Sequence, residues 1–126
     1  MSRSARSQFG DLERLVLDVL WSLPEDGSAS VREVHTAVSD TREVAYTTVM
    51  TVLDRMHSKQ IVTRQADGRA FRYRAASSRV EMTADLMRAA LADVGGRDKT
   101  GALVAFVGEA SKAERDALRA ALAELE

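Results

Sequence analysis

The stretch from Tyr46 to Lys59 constrains the fold most, because helical spacing divides it into two chemically different faces. One face is apolar and carries Val49, Val52, Leu53 and Met56, with the i, i+3, i+4, i+7 spacing of a helix packed on a core. The other face is polar and carries Thr47, Thr48, Thr51, Arg55 and Ser58. Short hydroxyl side chains suit several base edges in the DNA major groove, and arginine pairs with guanine. The stretch is predicted to be a recognition helix; an ordinary half-exposed helix is the alternative.

Two shorter helices are predicted before this one. One helical stripe is formed by Leu12, Leu15, Val16, Val19, Leu20 and Leu23, and Pro24, the only proline, ends it. The run Ser30-Val31-Arg32-Glu33 is a capping box that opens a second helix. A polar cluster at residues 39–41 then separates that helix from Tyr46. This order predicts a helix-turn-helix.

A β-hairpin is predicted after the recognition helix. Residues 61–66 and 69–75 flank Asp67-Gly68, a dipeptide that suits a tight two-residue turn. The second arm alternates, with Phe71, Tyr73 and Ala75 on an apolar face and Arg72 and Arg74 on a cationic face. The hairpin completes a predicted winged helix, with Asp67, Gly68 and Arg69 at the wing tip.

Basic residues are concentrated in this region, although the whole chain has a net charge of -1. The segment from Arg55 to Arg79 holds seven Lys or Arg and one acid, a balance of +6. From Glu81 to the end there are six bases and nine acids, a balance of -3. The basic segment predicts a surface for the phosphate backbone, with a solvated surface as the alternative.

The last part of the chain is predicted to be helical. Capping boxes begin at Ser78 and Ser111, and each is predicted to open a helix. Gly95-Gly96 is predicted to end the first of these helices, and the apolar run at 102–107 fits helix or strand. The helix after Ser78 is apolar on two sides, through Val80, Ala84, Met87, Leu91 and Val94 and, opposite, Met82, Leu86, Ala89 and Ala90. Both apolar faces of such a helix must pack against protein, and a second copy of the chain can supply the packing surface. The segment is therefore predicted to be a dimerisation region; a single monomeric core is the alternative.

The predicted fold class is therefore mostly α, with a small β-hairpin wing in a winged helix-turn-helix and a C-terminal helical dimerisation region. The predicted domains are a loose N-terminal arm at 1–9, a DNA-binding domain at 10–76 and a dimerisation region at 77–126.

Composition argues against other function classes. The chain has no cysteine, two isolated histidines, no glycine-rich phosphate loop and no paired carboxylates in an apolar setting. No catalytic residue, metal site or cofactor is predicted, and the chain is not expected to be an enzyme. It has no apolar run approaching ~20 residues and no secretory signal pattern, so a cytoplasmic protein is expected.

The chain resembles the penicillinase repressor family, also known as the BlaI/MecI family. The resemblance is carried by Asp11-Leu12-Glu13 with Trp21, by the run from Ala45 to Met56, and by Gly68-Arg69-Ala70-Phe71-Arg72-Tyr73. It extends over nearly the whole chain, and the Tyr-Thr-Thr-Val-Met-Thr-Val-Leu block is its specific part.

The resemblance implies a homodimer that binds a palindromic operator in double-stranded DNA and represses genes for β-lactam resistance or related targets. It implies base contacts by Thr47, Thr48 and Thr51, and backbone contacts by Tyr46, Arg55, Arg69 and Arg72. Arg74, on the cationic face of the hairpin, is a further candidate for a backbone contact. The dimerisation candidates are Leu86, Met87, Leu91, Leu103, Phe106, Leu118 and Leu122.

The resemblance also implies a mode of release. In members released by β-lactam sensing, a membrane-bound sensor protease cuts an Asn-Phe bond within a short apolar segment of the dimerisation region. The similar position here is Ala105-Phe106, with alanine in place of asparagine. Two other readings stay open from sequence: a winged helix that binds an acidic protein partner, and a small-molecule-responsive repressor of the multidrug type.

Overall fold

The computed structural model describes residues 10–126. The predicted loose arm at 1–9, with its Arg3 and Arg6, lies outside the described residues. The described chain is mostly α-helical with one small antiparallel sheet, which confirms the predicted fold class. The helices are α1 (Asp11–Trp21), α2 (Val31–Ser39), α3 (Tyr46–Ser58), α4 (Arg79–Asp93), α5 (Lys99–Gly108) and α6 (Lys112–Glu124), with a short 3₁₀ helix at Gly96–Asp98. The strands are β1 (Ala29–Ser30), β2 (Val62–Asp67) and β3 (Ala70–Ala75).

The sheet has the order β1-β3-β2, and both strand pairs are antiparallel. The hairpin pairs Asp67 with Ala70, so its two-residue turn is Gly68-Arg69. The predicted turn at Asp67-Gly68 was therefore wrong by one residue. Gly68 has φ +65°, which only glycine adopts cheaply, and it occupies the first central position that a type II′ turn gives to glycine.

Strand β1 was not predicted, because residues 25–29 are mostly polar and include a glycine, a composition typical of a loop. Ala29 pairs with Tyr73 and Ser30 pairs with Arg72, so the segment before α2 forms the third strand of the wing. Ala29 is buried on the core side of this sheet.

The core of the winged helix lies between α1, α2, α3 and the inner face of the sheet. Its most buried side chains, each no more than 5% exposed, are Val16, Leu17, Leu20, Ala29, Val34, Val38, Val49, Leu53, Met56, Val62 and Tyr73. Fully burying one such aliphatic side chain contributes about 1.5–3 kcal/mol. Leu17 lay outside the predicted stripe of the first helix but is among the most buried residues.

Three predicted capping boxes form as expected. The hydroxyls of Ser30, Ser78 and Ser111 accept from the amides three residues on at 3.0–3.1 Å. The carboxylates of Glu33, Glu81 and Glu114 accept in return from the serine amides at 2.8–3.0 Å. These contacts satisfy amides that a helix start leaves without partners.

The described chain divides into two compact units, one ending at Glu81 and one running from Met82 to Glu126. The predicted boundary between residues 76 and 77 stays a prediction. In the first unit, the Trp21 indole donates to the carbonyl of Ser77 at 2.9 Å. Arg79 lies over that indole, 4.7 Å from its centroid, and pairs with Asp18 at 3.1 Å, so these contacts hold Arg79 against α1 within the first unit.

The second unit leaves its apolar side chains largely uncovered in the single chain. Residues 102–107, which fitted helix or strand from sequence, lie in α5. Gly96 follows the end of α4 with φ +54°, in agreement with the predicted break. No side chain from 83 to 126 is buried, although these helices carry valines, leucines and Phe106. Monomeric proteins seldom expose apolar surface this continuously.

Candidate nucleic-acid interface

Helix α3 presents its hydroxyl side chains outward. Thr47, Thr48 and Thr51 are exposed, while Val49 and Leu53 on the other face are fully buried. A helix whose one face is locked into a core holds the opposite side chains in fixed directions. The exposed hydroxyls are therefore a rigid array rather than a mobile patch.

Contacts from α2 position the start of α3. The His35 Nε2 donates to the carbonyl of Val44 at 2.8 Å, which fixes the turn between the two helices. The His35 ring also meets the Tyr46 ring edge-on, with the centroids 5.6 Å apart. His35 thus stabilises the turn through this hydrogen bond and ring contact. Within residues 10–126, no group of three or more His, Cys, Asp and Glu side chains is arranged to hold a metal ion.

Two exposed residues on α3 were absent from the predicted site. Asp54 lies three residues after Thr51 and seven after Thr47, so helical spacing puts it on the threonine face. Met50 is 45% exposed at the edge of the same face. The i, i+4, i+7 spacing of Thr47, Thr51 and Asp54 alone identifies Asp54, but a carboxylate is not a side chain that a phosphate-facing surface suggests.

Ion pairs within the chain use four of the seven basic residues that predicted the cationic surface. The pairs are Lys59–Glu13 at 3.1 Å, Arg64–Asp54 at 3.1 Å, Arg72–Glu33 at 2.9 Å and Arg79–Asp18 at 3.1 Å. Arg55, Arg69 and Arg74 make no ion pair within residues 10–126, and all three are exposed. The charge available to an external anion is therefore concentrated on these three side chains.

Arg72 is held by the start of α2. Its Nε donates to the Ser28 hydroxyl, and its Nη2 donates to the Ser28 carbonyl and the Glu33 carboxylate, each at 2.9 Å. The Ser30 amide and then Arg72 hold the pKa of Glu33 below its ordinary value of 4.5. Arg72 and Arg74 share the outer face of the sheet, because β3 alternates, but Arg74 is exposed whereas Arg72 is half-buried.

The predicted dimerisation residues lie on α4, α5 and α6. Met87, Leu103, Phe106 and Leu122 are exposed in the single chain, while Leu86, Leu91 and Leu118 are half-buried. Ala105 and Phe106 lie inside α5, one turn before its end, and Phe106 is 53% exposed. Among residues 10–126, no helix is long and apolar enough to cross a membrane.

Comparison with known proteins decides the family. The model of the penicillinase repressor family matches residues 9–124. The chain belongs to the penicillinase repressor family. The resemblance to this family, predicted from the sequence, is confirmed. The family name describes a regulator of transcription rather than an enzyme.

The relatives cover nearly the whole chain. The transcriptional regulator BlaI of Mycobacterium tuberculosis, from strains CDC 1551 / Oshkosh and ATCC 25618 / H37Rv, is 50% identical over 123 residues, spanning 95% of this chain and 86% of the relative.

Solved structures agree with the fold. The DNA-binding domain of the repressor BlaI is 28% identical with a TM-score of 0.50, over 57% of this chain and 84% of that domain. MepR, a transcription regulator of the Staphylococcus aureus multidrug efflux pump MepA, has a TM-score of 0.50 at 13% identity. The match covers 94% of this chain and 78% of MepR, and it shows a likeness of fold alone.

Proposed function

We propose that this chain is a sequence-specific DNA-binding repressor that acts as a homodimer on a palindromic operator in the cytoplasm. The observation that carries the proposal is the row of exposed threonines on α3, held rigidly by a buried opposite face. The relatedness to regulators named BlaI supports it.

In the proposed complex, α3 enters the major groove and Thr47, Thr48 and Thr51 contact base edges. Tyr46, Arg55, Arg69 and Arg74 contact the backbone, which contributes affinity without sequence information. Arg72 is also a candidate backbone contact, but its bonds to Ser28 and Glu33 give it a second task in holding the wing.

A second copy of the chain is the proposed cover for the apolar helices. The exposure of Met87, Leu103, Phe106 and Leu122 supports this, because a dimer interface of this family type buries side chains that the single chain leaves in water. Two-fold symmetry then sets two copies of α3 in successive major grooves, ~34 Å apart, and matches a palindromic site.

The regulated genes are proposed to be those for β-lactam resistance or related targets, in keeping with the family. Release by a membrane-bound sensor protease would act on the Ala105–Phe106 bond. Because that bond lies within α5, cleavage requires the helix to open locally first. Alanine stands here in place of the asparagine of the family. Cleavage of this bond can be tested separately from DNA binding.

The test is fluorescence anisotropy with DNA from upstream of the gene that encodes the chain, measured against excess random-sequence duplex. Tight binding that resists the competitor is the expected result. Binding no better than to random duplex would turn attention to an operator elsewhere in the genome, which selection of bound genomic fragments would find. Failure of that selection to enrich any sequence would contradict the proposal and favour a protein-binding role.

A further inference from the structure

Asp54 brings a negative charge to the surface of α3 that the proposed function turns toward DNA. Its side chain is 68% exposed. It shares a helical face with Thr47 and Thr51. A carboxylate beside a phosphate backbone is repelled by it, and that repulsion weakens binding to every DNA sequence alike.

Arg64 on β2 reaches this carboxylate from the wing. Its Nη1 donates to Asp54 Oδ1 at 3.1 Å. The guanidinium lies on the Phe71 ring, with Cζ 4.1 Å from the ring centroid, in cation–π geometry. Because the Arg64 side chain is only 24% exposed, it differs from the open side chains of Arg69 and Arg74.

The surroundings keep Arg64 charged and in place. A hydrogen bond with the Tyr73 side chain, aided by the pair with Asp54, raises the pKa of Arg64 above its ordinary value. Tyr73 is buried, so the core fixes one of the two aromatic neighbours of the guanidinium. Arg64 therefore joins β2, β3 and α3 through three different side chains.

We propose that Arg64 is a positioning residue for DNA binding, which masks the Asp54 carboxylate on the threonine face and ties the wing to α3. The inference rests on the proposed function, since the masking matters only when α3 faces DNA. Arg64 does this through Asp54 and not through a phosphate contact of its own.

The test is a double-mutant cycle with Arg64→Gln, Asp54→Asn and the double variant. Each is measured against a random-sequence duplex and against the selected operator duplex. Arg64→Gln is expected to weaken binding to both duplexes by about tenfold, because it unmasks the carboxylate. Asp54→Asn is expected to bind at least as tightly as wild type. The double variant is expected to return to within about threefold of Asp54→Asn, since no charge is left to mask.

Two outcomes of the cycle would overturn the inference. A double variant as weak as Arg64→Gln would mean that Arg64 contacts DNA directly. An Asp54→Asn variant that weakens operator binding alone would make Asp54 a reader of a base, since aspartate accepts from cytosine N4.

Further measurements separate masking from folding. Thermal unfolding of each variant shows whether the winged helix is intact, and Arg64→Lys keeps the charge while losing the planar stacking on Phe71. Arg64→Lys is expected to bind more tightly than Arg64→Gln; equal binding by the two would contradict masking by charge. If wild type binds neither duplex, the proposed function fails; if wild type binds and Arg64→Gln matches it, only this inference fails.

Discussion

Threonine and arginine side chains have separate tasks in the proposed complex. Thr51 sits near the centre of the exposed face of α3, opposite the fully buried Leu53 and Met56. Arg74 projects from the outer face of the wing without an ion pair in the described chain. A base contact changes which sequence is bound, whereas a phosphate contact changes how binding responds to salt.

Thr51→Ala is expected to relax base preference. Loss of one side chain from the groove should reduce discrimination at one operator position by about fivefold to tenfold, while the free energy of unfolding changes by no more than ~0.5 kcal/mol. Competition among duplexes that differ at single base pairs measures the discrimination. Thr36→Ala, an exposed threonine on α2, is the matched control and should leave preference intact. Equal weakening on every duplex by Thr51→Ala would contradict the base contact.

Arg74→Ala is expected to flatten the dependence of binding on salt. Each lost phosphate contact lowers the slope of log affinity against log salt by about 0.9, hence by about 1.8 for the two copies in a dimer. Titrations at a series of salt concentrations give the slope directly. Arg14→Ala on α1 removes an equal charge from an exposed position and should leave the slope unchanged. An unchanged slope for Arg74→Ala would remove that side chain from the interface.

The arrangement of side chains in the candidate interface could be predicted only in part from the sequence. The exposure of the face that carries the threonines was predictable, because a polar face opposite an apolar stripe needs nothing but helical spacing; its contact with DNA stays a prediction. The pairing of Arg64 with Asp54 and of Arg72 with Ser28 was not, because each joins elements whose relative placement depends on the folded core. Local charge counting therefore overstated the free cationic surface.

At the scale of elements, the wing is joined to the helix-turn-helix through the start of α2. Glu33 caps α2 through the Ser30 amide at 2.9 Å and also accepts from Arg72 of β3 at 2.9 Å. The same carboxylate thus serves a helix start and a strand. Its lowered pKa means that folding favours the ionised form.

Glu33→Gln is expected to change the pH dependence of stability in acid. The ionised carboxylate contributes its full stabilisation above the ordinary pKa of 4.5, and the contribution is lost as pH falls through the lower folded-state pKa. The difference in unfolding free energy between wild type and Glu33→Gln should therefore shrink as pH falls from about 7 to about 3. Denaturant titrations along that series measure it, with Glu25→Gln in the loop before β1 as control. A difference that stays constant with pH would contradict the role given to the charge.

Elements with strong periodicity or a cap were predictable, and those held by distant pairing were not. Pro24, the serine caps and the apolar stripes placed the helices to within a few residues. Strand β1 has two residues, too few to give a recognisable alternation in the sequence, so its existence depends on pairing with β3 far along the chain. The hairpin turn shifted by one residue because Gly68 satisfies the positive φ at either position of the turn.

At the scale of the whole molecule, the helices after Met82 need a cover that the single chain does not provide. Leu122 on α6 is 61% exposed and shares a helix face with Leu118. The sequence predicted these apolar faces, and it left open whether a monomeric core covers them. Their exposure in the single chain supports covering by a second copy, which remains a proposal.

Leu122→Glu is expected to make the protein monomeric. A buried charge without a partner at an interface is strongly unfavourable, whereas the same glutamate in an isolated chain meets water. Sedimentation over a range of protein concentrations reports the change, with Ala120→Glu on the opposite side of α6 as the matched control. If Leu122→Glu sediments like wild type, this leucine lies outside the interface.

The most direct test of the central claim is protection of guanine N7 from methylation on the operator, since that atom lies in the major groove. The proposed dimer predicts two protected clusters about 10 base pairs apart, centre to centre. Both clusters should disappear when Thr47 and Thr51 are together changed to alanine in a variant that still folds. Protection that persists in that variant, or that is absent from the major groove, would contradict α3 as the element that reads DNA.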